Sequence, residues 1–239
     1  MLFLVSGEGP SDIGVCNDGN QICDTAEFRI GPMAVIISQV VEMRQGYSPI
    51  DAGVLRCVSK HHLVERASEL KAVRKSLGLP GKKRGKETRY FFNNARVLAR
   101  IAKEYRDALS DEVVAVLFRD SDDTASAGRG LWDEKRQSMI DGFDKEEFAR
   151  GVPMIPKPKS EAWLICSLKR DAYRNCDQLE ERSGNDDSPN SLKAELVQLI
   201  GDVEVVSDLC GRLVDRSIDI DRITMLSFAA FRTRLEGVI

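Results

Sequence analysis

Four carboxylates in this 239-residue chain stand where they could share a cation: Glu8, Asp120, Asp122 and Glu161. Each follows an apolar run that reads as a buried strand, and in open parallel sheets the ligand site lies outside the carboxyl ends of the strands. Carboxylates brought together raise one another's pKa, a cost that a divalent cation removes. All-oxygen ligands suit Mg²⁺ or Mn²⁺ rather than zinc. In Asp120-Ser121-Asp122 alternate residues point the same way if the strand geometry continues, which sets two carboxylates beside one ion. Gly7 and Gly9 flank Glu8, so the backbone there can turn sharply and come close to a phosphate. Two ions so held activate a nucleophile and stabilise the leaving oxygen of a phosphodiester. Singly, these features have ordinary readings. An acidic triplet after a strand is often a solvated turn or a helix cap, and Glu161 after Ser160 would complement a helix dipole in any case. Their arrangement on successive strand ends is what points to chemistry.

Basic residues form two groups. Lys82, Lys83, Arg84, Lys86 and Arg89 make the densest cluster, read either as a phosphate-contacting patch or as a solvated loop before a helix. Lys157 and Lys159 are fewer but lie just ahead of Glu161, where a lysine could neutralise a scissile phosphate. Prolines 156 and 158 would hold them stiffly. His61 and His62, the only histidines, show no obvious acidic partner and read as structural. Trp163, Phe91 and Phe92 read as core, as does Trp132, with base stacking as the alternative for that last ring. The six cysteines contain no C-x-x-C pair. Cys16 and Cys23 in a polar loop could pair or bind a metal, whereas Cys57, Cys166, Cys176 and Cys210 read as small free hydrophobes.

The elements that must position these groups alternate. Leu2–Ser6, Gly53–Val58, Glu112–Phe118 and Val152–Ile155 read as strands; helices are expected from Pro32, over His62–Leu77, over Glu87–Leu109 and from Glu161. Ile13 to Gly31 reads as a long polar loop. Strands alternating with helices predict an α/β fold with a mostly parallel sheet flanked by helices. Beyond residue 167 only helices are expected, broken by a disordered-looking GNDDSPN segment at 184–190, so 1–167 reads as a catalytic domain and 168–239 as a helical C-terminal appendage. The net charge of −3 means that any attraction to a polyanion must come from a local basic patch. No apolar run reaches the roughly 18 residues of a membrane span, and the five-residue apolar start is too short for a signal peptide. A cytoplasmic protein with no membrane partner is expected.

Strand, Glu8-Gly9-Pro10-Ser11-Asp12, then strand with Asp120-x-Asp122 resembles the Toprim domain of topoisomerases, primases and overcoming-lysogenization-defect nucleases. The first block is similar to the E-G-x-[ST]-[DE] form of those nucleases and of small Toprim-like proteins from phage-defence loci. Glu161-Ala-Trp-Leu resembles the E-x-W-L segment of the small proteins, and the resemblance spans roughly residues 1–168. It implies a Mg²⁺- or Mn²⁺-dependent nuclease. Glu8 would be a metal ligand or general acid/base and Asp12 a second-metal or supporting ligand. Asp120 and Asp122 would be the paired ligands, with Asp123 able to substitute for either and Glu161 completing the second site. The chain has no P-loop, so the ATPase that accompanies such nucleases would be a separate partner. The long 13–31 segment departs from a compact Toprim domain. Asp120-Ser-Asp-Asp-Thr124 also resembles the D-x-D-x-T of haloacid-dehalogenase-type phosphatases, whose first Asp is a nucleophile. That motif normally opens its domain, however, and Gly201-Asp202 lacks the apolar strand that should precede it. The third reading is a non-catalytic partner subunit.

Overall fold

The structure, a computed structural model, describes residues 1–76, 85–121, 131–168, 175–201 and 205–239. Seven strands are described: β1 (Leu2–Ser6), β2 (Gly14–Cys16), β3 (Ile22–Asp24), β4 (Phe28–Ile30), β5 (Leu55–Val58), β6 (Val113–Phe118) and β7 (Gly151–Met154). Five of them form one sheet in the order β3-β5-β1-β6-β7, while β2 and β4 pair as a separate antiparallel ribbon. β5, β1, β6 and β7 run parallel, and only β3, on the edge, is antiparallel to its neighbour β5. The fold is therefore α/β with a mostly parallel sheet, as the alternation of elements predicts.

Burial on both faces explains the unbroken apolar runs. Along β1, Phe3 and Val5 enter one hydrophobic cluster while Leu2 and Leu4 enter the other. β6 alternates in the same way, with Val114, Val116 and Phe118 against Val113, Ala115 and Leu117. Pro153 lies within β7, where an edge strand tolerates the missing N–H.

Three helices cover one face: α2 (Lys60–Ser76), α3 (Lys86–Leu109) and α4 (Leu131–Lys145). On α3, Phe91, Ala95, Leu98, Ile101 and Ala102 recur at helical spacing and are all buried. The other face is covered by α1 (Pro32–Gln45), α5 (Ser160–Leu168) and the C-terminal helices α6 (Cys176–Leu179), α7 (Leu192–Ile200), α8 (Val205–Val214) and α9 (Leu226–Glu236). Proline at the first turn starts α1, and Gly46 ends it with φ 78° and an N–H to the Glu42 carbonyl. Trp163 is fully buried, donates its indole N–H to Ser227 Oγ at 2.8 Å, and packs edge-on against Phe228. The C-terminal helices and the sheet thus share one cluster of buried side chains. No helix among the described residues is long and apolar enough to cross a membrane.

Several local expectations are corrected. The 13–31 segment is not simply a loop: it contains β2, β3 and β4, and β3 extends the main sheet. Residues 184–190 form turns in which Asn185 Oδ1 accepts the Asp187 N–H at 3.0 Å. Cys16 and Cys23 form a disulfide, and so do Cys166 and Cys176, which overturns the reading of the latter two as free hydrophobes. His61 does have an acidic partner, Glu65 at 3.1 Å one helical turn on. Trp132 donates its N–H to the Ile155 carbonyl at 2.8 Å and packs against the α2–α4 cluster, so its indole edge is already engaged.

Candidate active site at the strand ends

β1 connects toward β5 on one side, whereas β6 and β7 lie on its other side. The crevice between the carboxyl ends of β1 and β6 is therefore a topological switch point, the usual ligand position in such sheets. Glu8 follows β1, Asp120 follows β6, and Glu161 follows β7 by way of the 155–159 segment. Three neighbouring parallel strands thus deliver their acids to one edge.

Ser160, the first residue of α5, gathers them. Its Oγ donates to Asp12 Oδ1 at 2.8 Å, and its backbone N–H donates to Asp120 Oδ1 at 3.0 Å. Residues 148 and 40 positions away are thereby fixed on one 4%-exposed serine. Glu161 is next in the chain. Burial raises its pKa above the ordinary glutamate value, and the nearby negative charges of Asp12 and Asp186 push the same way; its own backbone N–H and Lys159 oppose them. Burial and neighbouring negative charge that disfavour a carboxylate are the electrostatic cost that a bound cation relieves.

The loops are fastened from both sides. Ser121 donates its backbone N–H to the Pro158 carbonyl at 3.1 Å, and its hydroxyl does likewise. Lys135 on α4 donates to the Ser121 carbonyl. The Lys157–Pro158 peptide is cis. On the β1 side, the Asp12 carbonyl accepts the Met33 N–H at 2.9 Å, tying the Glu8–Asp12 loop to the start of α1. Gly31 makes this approach possible, because a Cβ there would sit 2.3 Å from the Asp12 carbonyl oxygen. The glycines flanking Glu8 act differently from expectation. Neither Gly7 nor Gly9 has a positive φ, and Gly7 is required by packing, since its Cβ would lie 2.8 Å from the Ile13 side chain.

Arg119 was not singled out by sequence reasoning. It is fully buried at the end of β6, with its guanidinium carbon 5.0 Å from the Tyr90 ring centre and Nε 3.4 Å from Glu8 Oε1. Its three side-chain nitrogens have no hydrogen-bond partner among the described residues. Burial lowers its pKa, while Tyr90 and Glu8 act to hold the charge. A positive charge beside Glu8 favours the carboxylate form of that side chain. The only hint in the sequence was an arginine directly abutting a strand buried on both faces.

The remaining expected residues are distributed as follows. Lys157 Nζ lies 3.0 Å from Glu181, and Lys159 Nζ 3.0 Å from Asp186, so both lysines reach carboxylates from the segment before α7. Arg89 is exposed near the start of α3, and Lys86 is in its first turn. Asp122, Asp123, Lys82, Lys83 and Arg84 lie outside the described residues. The donor set around Ser160 is all oxygen, which fits a hard cation such as Mg²⁺ or Mn²⁺. Among the described residues, though, the carboxylates surround the serine without closing to within 4.8 Å of one another as a group of three. Only Cys16, Cys23 and Cys57 do that.

Compared with protein-family models, with curated proteins and with solved structures, the chain matches none.

Proposed function

We propose that the chain is a Mg²⁺- or Mn²⁺-dependent phosphodiesterase of the Toprim type that cleaves nucleic acid. The observation that supports this most is the meeting of Asp12 and Asp120 on Ser160, with Glu161 beside them, at the switch-point crevice. Asp12, Asp120 and Glu161 would hold the cation, and Asp122 and Asp123 are close enough in sequence to join them. When bound, the ion supplies Lewis-acid stabilisation of charge on phosphoryl oxygens. Arg119 sets a positive charge 3.4 Å from Glu8, and Glu8 would accept the proton of the attacking water. Lys159, whose charge already bears on Glu161, stands beside the acids where a phosphate would lie. Lys157 and the Lys82–Arg89 cluster would contact the phosphate backbone without reading sequence. The resemblance to phage-defence proteins adds an antiviral setting and a separate ATPase partner.

The test is cleavage of labelled DNA, RNA and tRNA, beside a phosphomonoester, with Mg²⁺ or Mn²⁺. Metal-dependent internal cleavage that disappears in Glu8→Gln is the expected result. Phosphomonoester turnover that survives Glu8→Gln but not Asp120→Asn would instead make Asp120 a phosphatase nucleophile. Inactivity on every substrate, with candidate partners present, would leave a binding subunit.

A further inference from the structure

A second constellation lies on the other side of β1. Cys23 on β3 and Cys57 on β5 are directly opposite each other in the antiparallel pair, and Cys16 ends β2. The three sulfurs lie within 4.8 Å of one another, and none of the three residues is more than 5% exposed. Cys16 and Cys23 are joined as a disulfide, while Cys57 is a free thiol whose pKa burial pushes up to about 12. A disulfide needs only two sulfurs. The third, buried against them, adds nothing to the cross-link that a valine or alanine would not supply.

Tetrahedral coordination explains the third sulfur. Metal–sulfur bonds of about 2.3 Å place thiolates roughly 3.8 Å apart, a spacing that small side-chain movements reach from this cluster. A cavity of about 100 Å³ opens onto Cys16 and Cys57 and is also lined by Glu8, Gly9, Ser59 and Lys60. It has room for a water molecule as fourth ligand. Three thiolates around a divalent ion leave one net negative charge, and Lys60 at the cavity wall offsets it.

We infer that Cys16, Cys23 and Cys57 form a redox-gated site for a soft divalent cation of the zinc type. A dithiol reductant gives two electrons and two protons to the Cys16–Cys23 bond and is itself oxidised to a disulfide. The three resulting thiols then form three metal–sulfur bonds and release three protons to solvent. The cation keeps its oxidation state. Sulfur ligands select zinc or cobalt over magnesium, so this site does not compete with the oxygen ligands around Ser160. Its occupancy would pin β2 and β3 to β5, directly downstream of Asp12. The inference does not depend on nuclease activity.

The test uses the full-length chain, reduced with a dithiol and then freed of it without oxygen. Titration with Co²⁺ is expected to produce a sulfur-to-cobalt charge-transfer band that saturates at one equivalent and is displaced by Zn²⁺. Zn²⁺ should also slow alkylation of Cys16, Cys23 and Cys57 relative to the metal-free reduced chain, as mapped by mass spectrometry, while the rates at Cys210, Cys166 and Cys176 stay unchanged. Cys57→Ser should weaken binding by roughly a hundredfold or more, with Cys210→Ser unchanged. Absence of the band, protection of a different set of thiols, or equal binding by Cys57→Ser would each overturn the site. If Cys57→Ser does not fold, the wild-type protection map decides alone. Because nothing in this test reads phosphodiester cleavage, its failure is separable from failure of the nuclease reading.

Discussion

The two flanks of β1 carry opposite ligand chemistries at the same end of the sheet. Toward β6 and β7 the chain delivers oxygen: Asp12 and Asp120 bound to Ser160, with Glu161 adjoining. Toward β5 and β3 it delivers sulfur: Cys16, Cys23 and Cys57 within 4.8 Å. The 7–31 segment belongs to both, since Asp12 is held by Ser160 on one flank while Cys16 and Cys23 build the other, and Glu8 lines the cavity that opens onto Cys16 and Cys57. The difference lies in how each flank is made. The oxygen flank hangs on long parallel strands whose ends are fixed by the sheet, so its residues come from distant parts of the chain. The sulfur flank uses three-residue strands whose register is set only by pairing with β5 and by the β2–β4 ribbon.

Substitutions that strike one flank and spare the other test this division. The largest effect belongs to Asp120→Asn. Losing a ligand that stabilises transition-state charge by several kcal/mol should lower metal-dependent cleavage by about 10²–10³-fold, while Co²⁺ binding at the cysteines stays as in wild type. Ser160→Ala removes the hydroxyl that orients Asp12 but keeps the N–H to Asp120. Loss of such an outer contact should weaken Mn²⁺ affinity by about 10–100-fold in calorimetric titration. Gly31→Ala drives a methyl group against the Asp12 backbone, in the segment shared by both flanks. Overpacking of this kind costs about 1–3 kcal/mol, seen as a Tm drop of roughly 2–12 °C, and both metal affinities should fall together. A Gly31→Ala protein that lost only one of them would break the idea of a shared segment.

The smallest effect is a pH dependence. The folded-state pKa of Glu161 is raised above its ordinary value of 4.5, so its contribution to stability is present below pH 4.5 and is lost as pH rises through the raised value. Glu161→Gln should therefore stabilise the metal-free protein at neutral pH, by about 2–4 °C in Tm for each kcal/mol. The gain should vanish below pH 4.5, which thermal melts across pH 3–8 would reveal. Saturating Mn²⁺ should reverse the ranking at neutral pH, because only the wild type keeps the carboxylate.

The oxygen flank was largely legible in the sequence. β1 and β6 are apolar runs ending in Gly7-Glu8 and Arg119-Asp120, and strand ends are where a parallel sheet holds its ligands. What organises the acids was not legible. Ser160 read as a helix start, and its hydroxyl finds Asp12 only once β1 and β7 are placed in the sheet. Arg119 drew no reading from the sequence, because a charged side chain at a strand end is normally solvated; here Tyr90 from α3 and Glu8 enclose it. Half of the sulfur flank was legible, since Cys16 and Cys23 read as a possible pair, but the place of Cys57 beside them was not. β2, β3 and β4 are too short to show an alternating pattern, and tertiary pairing alone brings Cys57 opposite Cys23. The Cys166–Cys176 link leaves no local signature either, whereas the His61–Glu65 pair sits at helical i,i+4 spacing and could have been read directly.

On the proposed function, the acids around Ser160 share one hard cation. Titration of the metal-free protein with Mn²⁺, followed by loss of the free-ion electron paramagnetic resonance signal, tests it most directly. The expected result is saturable binding that Mg²⁺ competes away and that Asp120→Asn abolishes. Unsaturable binding, or binding unchanged in Asp120→Asn, would contradict it.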